Sequence, residues 1–445
     1  LGQYGFGQYT TAVSWVTFFS IAADLGLTLV TAQLLSQKGA DIKKVLSNLF
    51  TFRLISGFLI IGLAPIVILV SPYDAIVKQG ASVAALAFYF VILSQVFVSF
   101  FQRELRTDRL AIADVVGRIV FLIATWWAIQ AQVSIIQLLW ILALANGITF
   151  IIQYLYARRE VKFGFAYDKA MWQDILKRSW PLVVTIILNL VYLKADILIL
   201  SLFHSQAAVG LYGAAYRVID TLVAIPFLIG GTVLPILATR WQENNKEMFQ
   251  KIWQKIFDMS SIIAWPIVAG GFILATPIMS LISGDEFAPA GPILKILIVA
   301  VGFIFFSSLF GYTMISFNRQ KQLITVYLIT AVTSLAFYFI FIPKFSYTAA
   351  AWITVYSEII MCICAWRVVK RSSGLFISFP RFFKAFLASA LMALVISLPV
   401  FVWYTIPGLI VTIVAGAITY VGALYLLKGI SKEDMIELMP GHKPA

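Results

Sequence analysis

Thirteen apolar runs, each long enough to cross a lipid bilayer, follow one another along this chain. A membrane-spanning helix needs about 20 predominantly apolar residues. The runs begin near Tyr9, Leu49, Ala81, Leu110, Val133, Trp180, Tyr212, Ile256, Ile293, Gln322, Tyr347, Phe386 and Leu409. Only 12% of the residues are charged, against about 25% in soluble domains. The pattern excludes an ordinary soluble protein and predicts an all-α, polytopic membrane protein.

The basic residues of the connecting loops alternate between the two sides of the membrane. One set of loops, together with the C-terminal tail, contains 26 Lys and Arg residues, and the opposite set contains only Lys78 and Lys344. Basic residues accumulate on the cytoplasmic side, so we expect the C-terminus in the cytoplasm. Most of the net charge of +13 therefore reports orientation and contact with anionic membrane lipids, and it does not predict a nucleic-acid partner.

Residues that hold cofactors, metals or catalytic centres are scarce. Cys362 and Cys364 lie two positions apart in an apolar run, where helical geometry points them to different faces. His204 and His442 are isolated. The sequence predicts no disulfide, no metal site, no cofactor and no enzymatic centre.

A short internal repeat organises the predicted spans. Gly7-Gln8-Tyr9 opens the first span and Gly210-Leu211-Tyr212 opens the seventh, 203 residues later, and both lie in predicted external loops. A full span, from Trp180 to Leu202, precedes the second copy and none precedes the first. We therefore expect that one N-terminal helix of a 14-helix protein is missing from this chain.

Two parallel six-helix lobes around a central cavity are a recurrent plan of transporters. The predicted divisions are an N-terminal lobe (1–156), a cytoplasmic linker (157–178), a C-terminal lobe (179–370), two additional membrane helices (371–428) and a cytoplasmic tail (429–445). The segment Arg240–Lys255 alternates aromatic residues with charges. It is either an amphipathic helix at the interface or an extension of the next span.

Ionisable residues inside the predicted spans are candidates for function, because charge at membrane depth is costly. Five cations are predicted to line a cationic cavity: Arg53, Arg118, Lys194, Arg217 and Lys295. Arg53 and Arg118 lie in the cytoplasmic half and the other three in the external half, which suggests a route for phosphate. Ordinary ion pairs with Asp114 and Asp220, one helical turn away, are the alternative for Arg118 and Arg217.

A polar stripe and several acids complete the predicted cavity. The stripe, on one face of the first span, consists of Thr17, Ser20, Asp24, Thr28 and Thr31. It is either a wetted cavity wall or a dry helix interface held by hydrogen bonds. The other candidate polar or coupling residues are Tyr192, Asp196, Asp220 and Glu358. Glu358 has no basic residue on its helix, which suggests a neutral or proton-exchanging carboxyl group.

The order and spacing of several short motifs resemble a known family. They are Leu1-Gly2 to Gly7-x-Tyr9, Asp24-Leu25-Gly26-Leu27, Tyr192-x3-Asp196-x3-Leu200, Val209-Gly210-x-Tyr212-x2-Ala215-Tyr216-Arg217, Leu234-Pro235, and Gly284-Asp285-Glu286-Phe287 with Ala290 and Leu294. Together they resemble the polysaccharide transporter family of O-antigen and exopolysaccharide flippases, within the multidrug/oligosaccharidyl-lipid/polysaccharide exporter superfamily. The resemblance covers essentially the whole chain.

The resemblance implies a two-lobed, 14-helix fold in the bacterial cytoplasmic membrane. It also implies alternating access that moves an undecaprenyl-pyrophosphate-linked oligosaccharide to the outer leaflet for surface polysaccharide synthesis. The last two helices would form a groove for the lipid tail, and a polysaccharide polymerase and glycosyltransferases would be partners.

Two other functions are weighed against this one. A cation-coupled drug antiporter of the same superfold would favour an acidic cavity, whereas intramembrane cations are here about as numerous as acids. A membrane polymerase or glycosyltransferase would need catalytic carboxylates in a sizeable external loop. The predicted external loops are short, and their acids are Asp74, Asp285 and Glu286.

Overall fold

A computed structural model describes residues 1–24, 26–35, 41–398 and 405–430, and helices make up almost all of this part of the chain. The helices are α1 (Gly2–Asp24), α2 (Leu27–Leu35), α3 (Ile42–Leu69), α4 (Ala75–Arg103), α5 (Thr107–Gln130), α6 (Ile135–Glu160), α7 (Lys169–Phe203), α8 (Gln206–Gln242), α9 (Lys246–Ser283), α10 (Gly291–Ser316), α11 (Gln320–Ser373), α12 (Pro380–Ile396) and α13 (Ile406–Leu426). A 3₁₀ helix, Asp285–Ala290, joins α9 to α10. The predicted all-α membrane fold is confirmed.

The predicted apolar runs fall mainly within these helices; the first crosses from α1 into α2, and the run that begins near Phe386 continues past the end of α12 into residues outside the described part. Within the described residues, nine helices are long and apolar enough to cross a membrane, or ten if the two pieces of α7 form one span. At 1.5 Å per residue, the 54 residues of α11 would extend about 80 Å, more than twice the bilayer core. A break at Ser346 (φ 55°) divides α11 into two spans. α1 is too polar to pass the same criterion, and α12 has only 17 described residues.

The first predicted span is divided into two helices, because α1 ends at Asp24 and α2 begins at Leu27. Gly26 between them has a φ of 68°, a left-handed backbone conformation that glycine adopts without steric cost. Leu25 of the Asp24-Leu25-Gly26-Leu27 motif lies outside the described residues.

The chain divides into two compact units, Leu1–Gly210 and Leu211–Ala445. The predicted linker 157–178 lies within the first unit: α6 continues to Glu160, residues 161–168 are extended, and α7 begins at Lys169. Of the predicted tail, residues 431–445 lie outside the described part. The segment Arg240–Lys255 consists of the end of α8 and the first turns of α9, so the extension of the next span is confirmed.

The two glycines of the internal repeat meet at one helix crossing inside the first unit. A Cβ added to Gly7 would lie 1.6 Å from the carbonyl oxygen of Gln206 and 3.0 Å from the backbone nitrogen of Gly210. A Cβ on Gly210 would lie 2.0 Å from the carbonyl oxygen of Gln3. Small residues allow membrane helices to approach this closely, so both glycines are required by the contact between α1 and the start of α8.

Side chains of α3 hold the extended segment 161–168, here called the first strap. The backbone N–H of Gly164 donates to Ser47 Oγ (3.2 Å), that of Ala166 to Thr51 Oγ1 (3.0 Å), and that of Asp168 to Asn48 Oδ1 (2.7 Å). Alternate strap residues are thus bound by one polar face of α3.

The end of the first strap is also held by charge. Lys44 Nζ lies 2.7 Å from Asp168 Oδ2. The hydrogen bond from Lys44, together with that from the backbone N–H of Met171, holds the pKa of the Asp168 carboxyl group below its usual range. The ion pair therefore persists in mildly acidic solution and is lost only as the pH falls through this lowered pKa.

Two glutamines of α9 hold the non-helical segment 374–379, the second strap, in the same way. Gln250 Nε2 donates to the carbonyl oxygen of Phe376 (2.8 Å) and Gln250 Oε1 accepts from its N–H (3.4 Å). Gln254 makes the same pair of bonds with Ser378, at 2.8 and 3.0 Å. Each side-chain amide replaces the partner that a neighbouring β-strand would supply.

The two straps show that the repeat extends well beyond its sequence motif. Gln250 and Gln254 follow Ser47 and Thr51 by 203 residues, the spacing of the two glycine motifs. The aromatic cores correspond as well. Phe50 packs on Phe97, Tyr154 and Phe163 in the first unit, and Trp253 packs on Phe310 and Trp366 in the second.

The glycine crossing gives a first prediction. Gly7→Ala should destabilise the protein by about 1–3 kcal/mol, because its methyl group overlaps the backbone of α8. Gly62→Ala is the matched control, since a Cβ at Gly62 meets no atom within 4 Å. Thermal unfolding of both variants in detergent measures the difference, and equal unfolding temperatures would contradict the assignment of a close crossing.

Candidate functional site in the membrane helices

Arg53 is the centre of a buried polar cluster in the first unit. Its Nη2 lies 2.7 Å from Asp24 Oδ1 and 3.0 Å from Thr28 Oγ1, and its Nη1 donates to the carbonyl oxygen of Ile92 at 3.1 Å. Thr28 donates to Asp24 at 2.6 Å and contacts Gln95 Oε1. Arg53 is 1% exposed, whereas the Asp24 side chain is 21% exposed.

The cluster joins the two helices of the first predicted span, since Asp24 ends α1 and Thr28 lies in the first turn of α2. One guanidinium group on α3 therefore bonds side chains on both sides of the break at Gly26. A desolvated arginine is costly unless charge and hydrogen bonds compensate for it. Arg53 has both kinds of partner, so in this structure it connects α1 to α2.

Other members of the polar stripe take part in helix packing. Thr17 donates to the carbonyl oxygen of Val13 on its own helix, and Ser20 and Thr31 are buried. Thr17 thus bonds within its own helix, and the buried Thr31 hydroxyl has no hydrogen-bond partner among the described residues. Asp24 keeps a partly exposed carboxylate.

Arg118 is exposed on α5, eleven residues after the helix begins at Thr107. The nearby Asp114 accepts a long hydrogen bond from Gln153 Nε2 (3.5 Å) on α6. Arg118, a predicted cavity residue, and Asp114, its predicted alternative partner, are thus both exposed on a highly apolar helix.

The three candidates on α7 differ in burial. Asp196 is 1% exposed and Tyr192 is 6% exposed, whereas Lys194 is half-buried. The Asp196 carboxylate accepts a hydrogen bond from the backbone N–H of Ile197 at 2.8 Å. Lys194 and Asp196 therefore do not share one environment, in agreement with their predicted positions on nearly opposite faces of the helix.

Glu358 lies in the interior of the second unit, in the second half of α11. It is 2% exposed, and Ser307 of α10 donates to its Oε2 at 3.1 Å. One turn earlier, the hydroxyl groups of Thr354 and Tyr212 lie 3.3 Å apart. The carboxyl group is thus part of a small polar region between α8, α10 and α11.

The remaining predicted residues of the second unit are more accessible. Arg217 and Asp220 are both exposed on α8. Lys295 of α10 is half-buried, with its ammonium group 5.6 Å from the centre of the Phe272 ring. A cation over an aromatic face is stabilised without a carboxylate partner.

Of the ten predicted residues, the structure joins Asp24 and Arg53 directly. Two further residues were not predicted: Gln95, which contacts Thr28 of the Arg53 cluster, and Ser307, which donates to Glu358. Gln95 had a readable signal, since it is an amide in the middle of an otherwise apolar run. Ser307 had none, because serine is common in membrane helices and its partner lies 51 residues away. In the described part of the chain, no group of three His, Cys, Asp or Glu side chains is arranged to hold a metal ion.

Comparison with known proteins identifies the family. The profile of the family described as "Polysaccharide biosynthesis protein" matches residues 1–241, more than half of the chain. The chain belongs to this family. A second profile, MatE, matches residues 181–340.

Two curated relatives carry names from glycan synthesis. A protein of Haloferax volcanii, "Probable low-salt glycan biosynthesis flippase Agl15", is 22% identical over 67% of this chain and 64% of its own length. The "Capsular polysaccharide biosynthesis protein CapF" of Staphylococcus aureus is 23% identical over 49% of this chain and 55% of its own length. The chain thus matches less than two thirds of either relative.

Solved structures show that the fold is that of transporters. "Lipid II flippase MurJ, inward closed conformation" superposes with a TM-score of 0.77 at 16% identity, over 98% of this chain and 94% of that chain. An inward-facing MATE family transporter of the MOP superfamily reaches 0.71 at 13% identity, over 84% and 95%. The predicted fold class is confirmed. The chain is a multi-pass membrane protein, and its family belongs to polysaccharide biosynthesis.

The Arg53 cluster gives a second prediction. Arg53→Met should destabilise the protein by about 3 kcal/mol, because it leaves the partly buried Asp24 carboxylate without its cation. Adding Asp24→Asn should restore part of the loss. Arg118→Met, at an exposed position, should change the stability by less than about 0.5 kcal/mol. Thermal unfolding in detergent tests this order; a double variant less stable than Arg53→Met would contradict it.

Proposed function

We propose that this protein is a flippase that moves an undecaprenyl-pyrophosphate-linked oligosaccharide from the cytoplasmic to the outer leaflet. Its family belongs to polysaccharide biosynthesis, and its fold is shared with a lipid II flippase. The product serves surface polysaccharide synthesis, and a polysaccharide polymerase and glycosyltransferases act on the same glycan. The membrane is the bacterial cytoplasmic membrane, with the C-terminus in the cytoplasm.

The observation that carries the proposal is a pair of exposed arginines inside apolar helices. Arg118 and Arg217 each lie eleven residues after the start of their helices, or about 16 Å along the helix axis. A guanidinium group at that depth is costly in hydrocarbon, so it faces water or an anionic group. α5 and α8 enter the membrane from opposite predicted sides, which makes both arginines available to a pyrophosphate during alternating access.

Arg53 bonds Asp24, Thr28 and a carbonyl oxygen, so its proposed contribution to transport is to hold α1 and α2 together. Lys194 and Lys295 are half-buried and extend the cationic route beyond the two arginines.

Glu358 is the proposed coupling residue. A buried carboxyl group that contacts a serine hydroxyl changes its interactions when it gains or loses a proton. Such a change within the second unit would link transport to the proton gradient.

The arginine hypothesis predicts loss of transport without loss of protein. Arg118→Ala and Arg217→Ala should each impair export in a flippase-deficient strain about tenfold or more, since each removes a charged contact worth about 1.5–3 kcal/mol. Arg240→Ala is the control on α8, because the partly exposed Arg240 pairs with Glu243 three residues away. Full complementation by both cavity variants, at equal membrane levels, would refute the cationic route.

The coupling hypothesis predicts a change in pH dependence. Glu358→Gln keeps the size and shape of the side chain but replaces its ionisable carboxyl group with an amide. Transport by this variant in proteoliposomes should respond less to an imposed pH gradient than transport by the wild type. An unchanged response would remove Glu358 as the proton carrier.

A further inference from the structure

The second unit contains an apolar cavity that the proposed transport cycle does not use. It has a volume of about 440 Å³ and lies between α9, α10, the second half of α11 and the start of α12. Its walls are mainly aromatic and branched side chains, among them Trp265, Phe306, Trp366 and Phe382. A smaller cavity of about 210 Å³ shares Trp265 and Val268 with it and continues between α9 and α12.

The size and lining of the cavity favour a hydrocarbon chain. Apolar cavities of this kind stay dry, because water finds no hydrogen-bond partners in them. If a methylene group occupies roughly the volume of a water molecule, about 30 Å³, the main cavity accommodates about fifteen such groups. About fifteen methylene groups correspond to one fatty acyl chain, whereas the volume of a polyprenyl chain of eleven isoprene units is several times larger.

The second strap forms one wall of the cavity and is held in place before any ligand enters. Ile377 and Phe379 line the cavity, and Ser378 between them is bound through both its N–H and its carbonyl group by Gln254. A wall that is already ordered lowers the entropic cost of binding.

Basic side chains follow the lining residues at the end of α11. Arg367 comes one turn after Ile363, and Lys370 one turn after Trp366, so each continues a helical face that lines the cavity. Both are exposed. Arg381 and Lys384 lie in the first turns of α12, where Arg381 already contacts Asp258 at 3.5 Å. An apolar chamber with a basic rim is complementary to a lipid with an anionic headgroup.

We propose that this cavity holds one acyl chain of an anionic membrane phospholipid, whose phosphate lies against Arg367 and Lys370. The bound lipid fills the space between α9, α10 and α11 and packs on the second strap, which leads into α12 and α13. It is a resident lipid of the second unit, distinct from the transported lipid, and the proposal does not depend on the proposed function.

Photochemical labelling of the purified full chain tests the site. The probe is phosphatidylglycerol with a diazirine at the end of one acyl chain, mixed with detergent-solubilised protein, and its adducts are mapped by mass spectrometry. Adducts should occur in the peptides that contain Val299, Cys362 and Trp366, and excess unlabelled phosphatidylglycerol should suppress them more strongly than phosphatidylcholine.

Two cavity-filling variants and one control separate this site from the lipid-facing surface. Val299→Phe and Val268→Phe place a ring in the cavity and should each lower the adduct yield at Cys362 and Trp366 at least fivefold. Met259→Phe, on an exposed position of α9 outside the lining, should leave it within twofold. Gel filtration checks that each variant is folded, and the two filling variants provide independent tests.

The headgroup contact is tested by charge removal. Arg367→Gln with Lys370→Gln should weaken the preference for phosphatidylglycerol over phosphatidylcholine by up to about 30-fold, because each basic residue near an anionic lipid contributes roughly fivefold. Arg319→Gln with Lys321→Gln, an exposed basic pair at the start of α11, is the control and should not change it.

Three outcomes would overturn the proposal. One is labelling that neither cavity-filling variant reduces, and another is equal competition by phosphatidylcholine. The third is competition by polyprenyl phosphate but not by phosphatidylglycerol, which would assign the cavity to the tail of the transported lipid.

Discussion

Backbone amides near a membrane must find hydrogen-bond partners within the protein, and this constraint explains how the chain passes from α6 to α7 in the first unit and from α11 to α12 in the second. A helix satisfies its own amides, but an extended segment does not. Both straps obtain their partners from side chains of one long helix, α3 in the first unit and α9 in the second. The chain can therefore leave one helix and enter the next along the surface of its own bundle.

Charged side chains, like backbone amides, are costly in hydrocarbon unless they have partners. The charged residues of this protein fall into two classes. Arg53 and Glu358 are buried and bonded within their units, so they belong to the architecture that a transport cycle acts upon. Arg118 and Arg217 are exposed although their helices are apolar. In the proposed transport cycle, the buried residues would keep each unit rigid, and the exposed arginines would contact the anionic headgroup.

Hydropathy and spacing predicted much of the fold. Each of the thirteen apolar runs coincides with a helix over most of its described residues, and the Gly7 and Gly210 motifs meet in space, because both signals depend on local sequence and on close backbone packing. The pairing of Arg53 with Asp24 was not predicted, since it joins residues 29 positions apart on different helices. The straps were missed because Ser47, Thr51, Gln250 and Gln254 look like ordinary polar residues near helix ends. The burial of each charge depends on helix rotation, which the sequence pattern alone does not define.

The most direct test of the account is transport by the purified wild-type chain. Proteoliposomes would contain a fluorescently labelled undecaprenyl-pyrophosphate oligosaccharide, and a membrane-impermeant quencher would report its movement between leaflets. The account predicts that the protein accelerates this movement and that the glycan leaves the assay with its length unchanged. Movement no faster than in protein-free vesicles, or elongation of the glycan without movement, would contradict it.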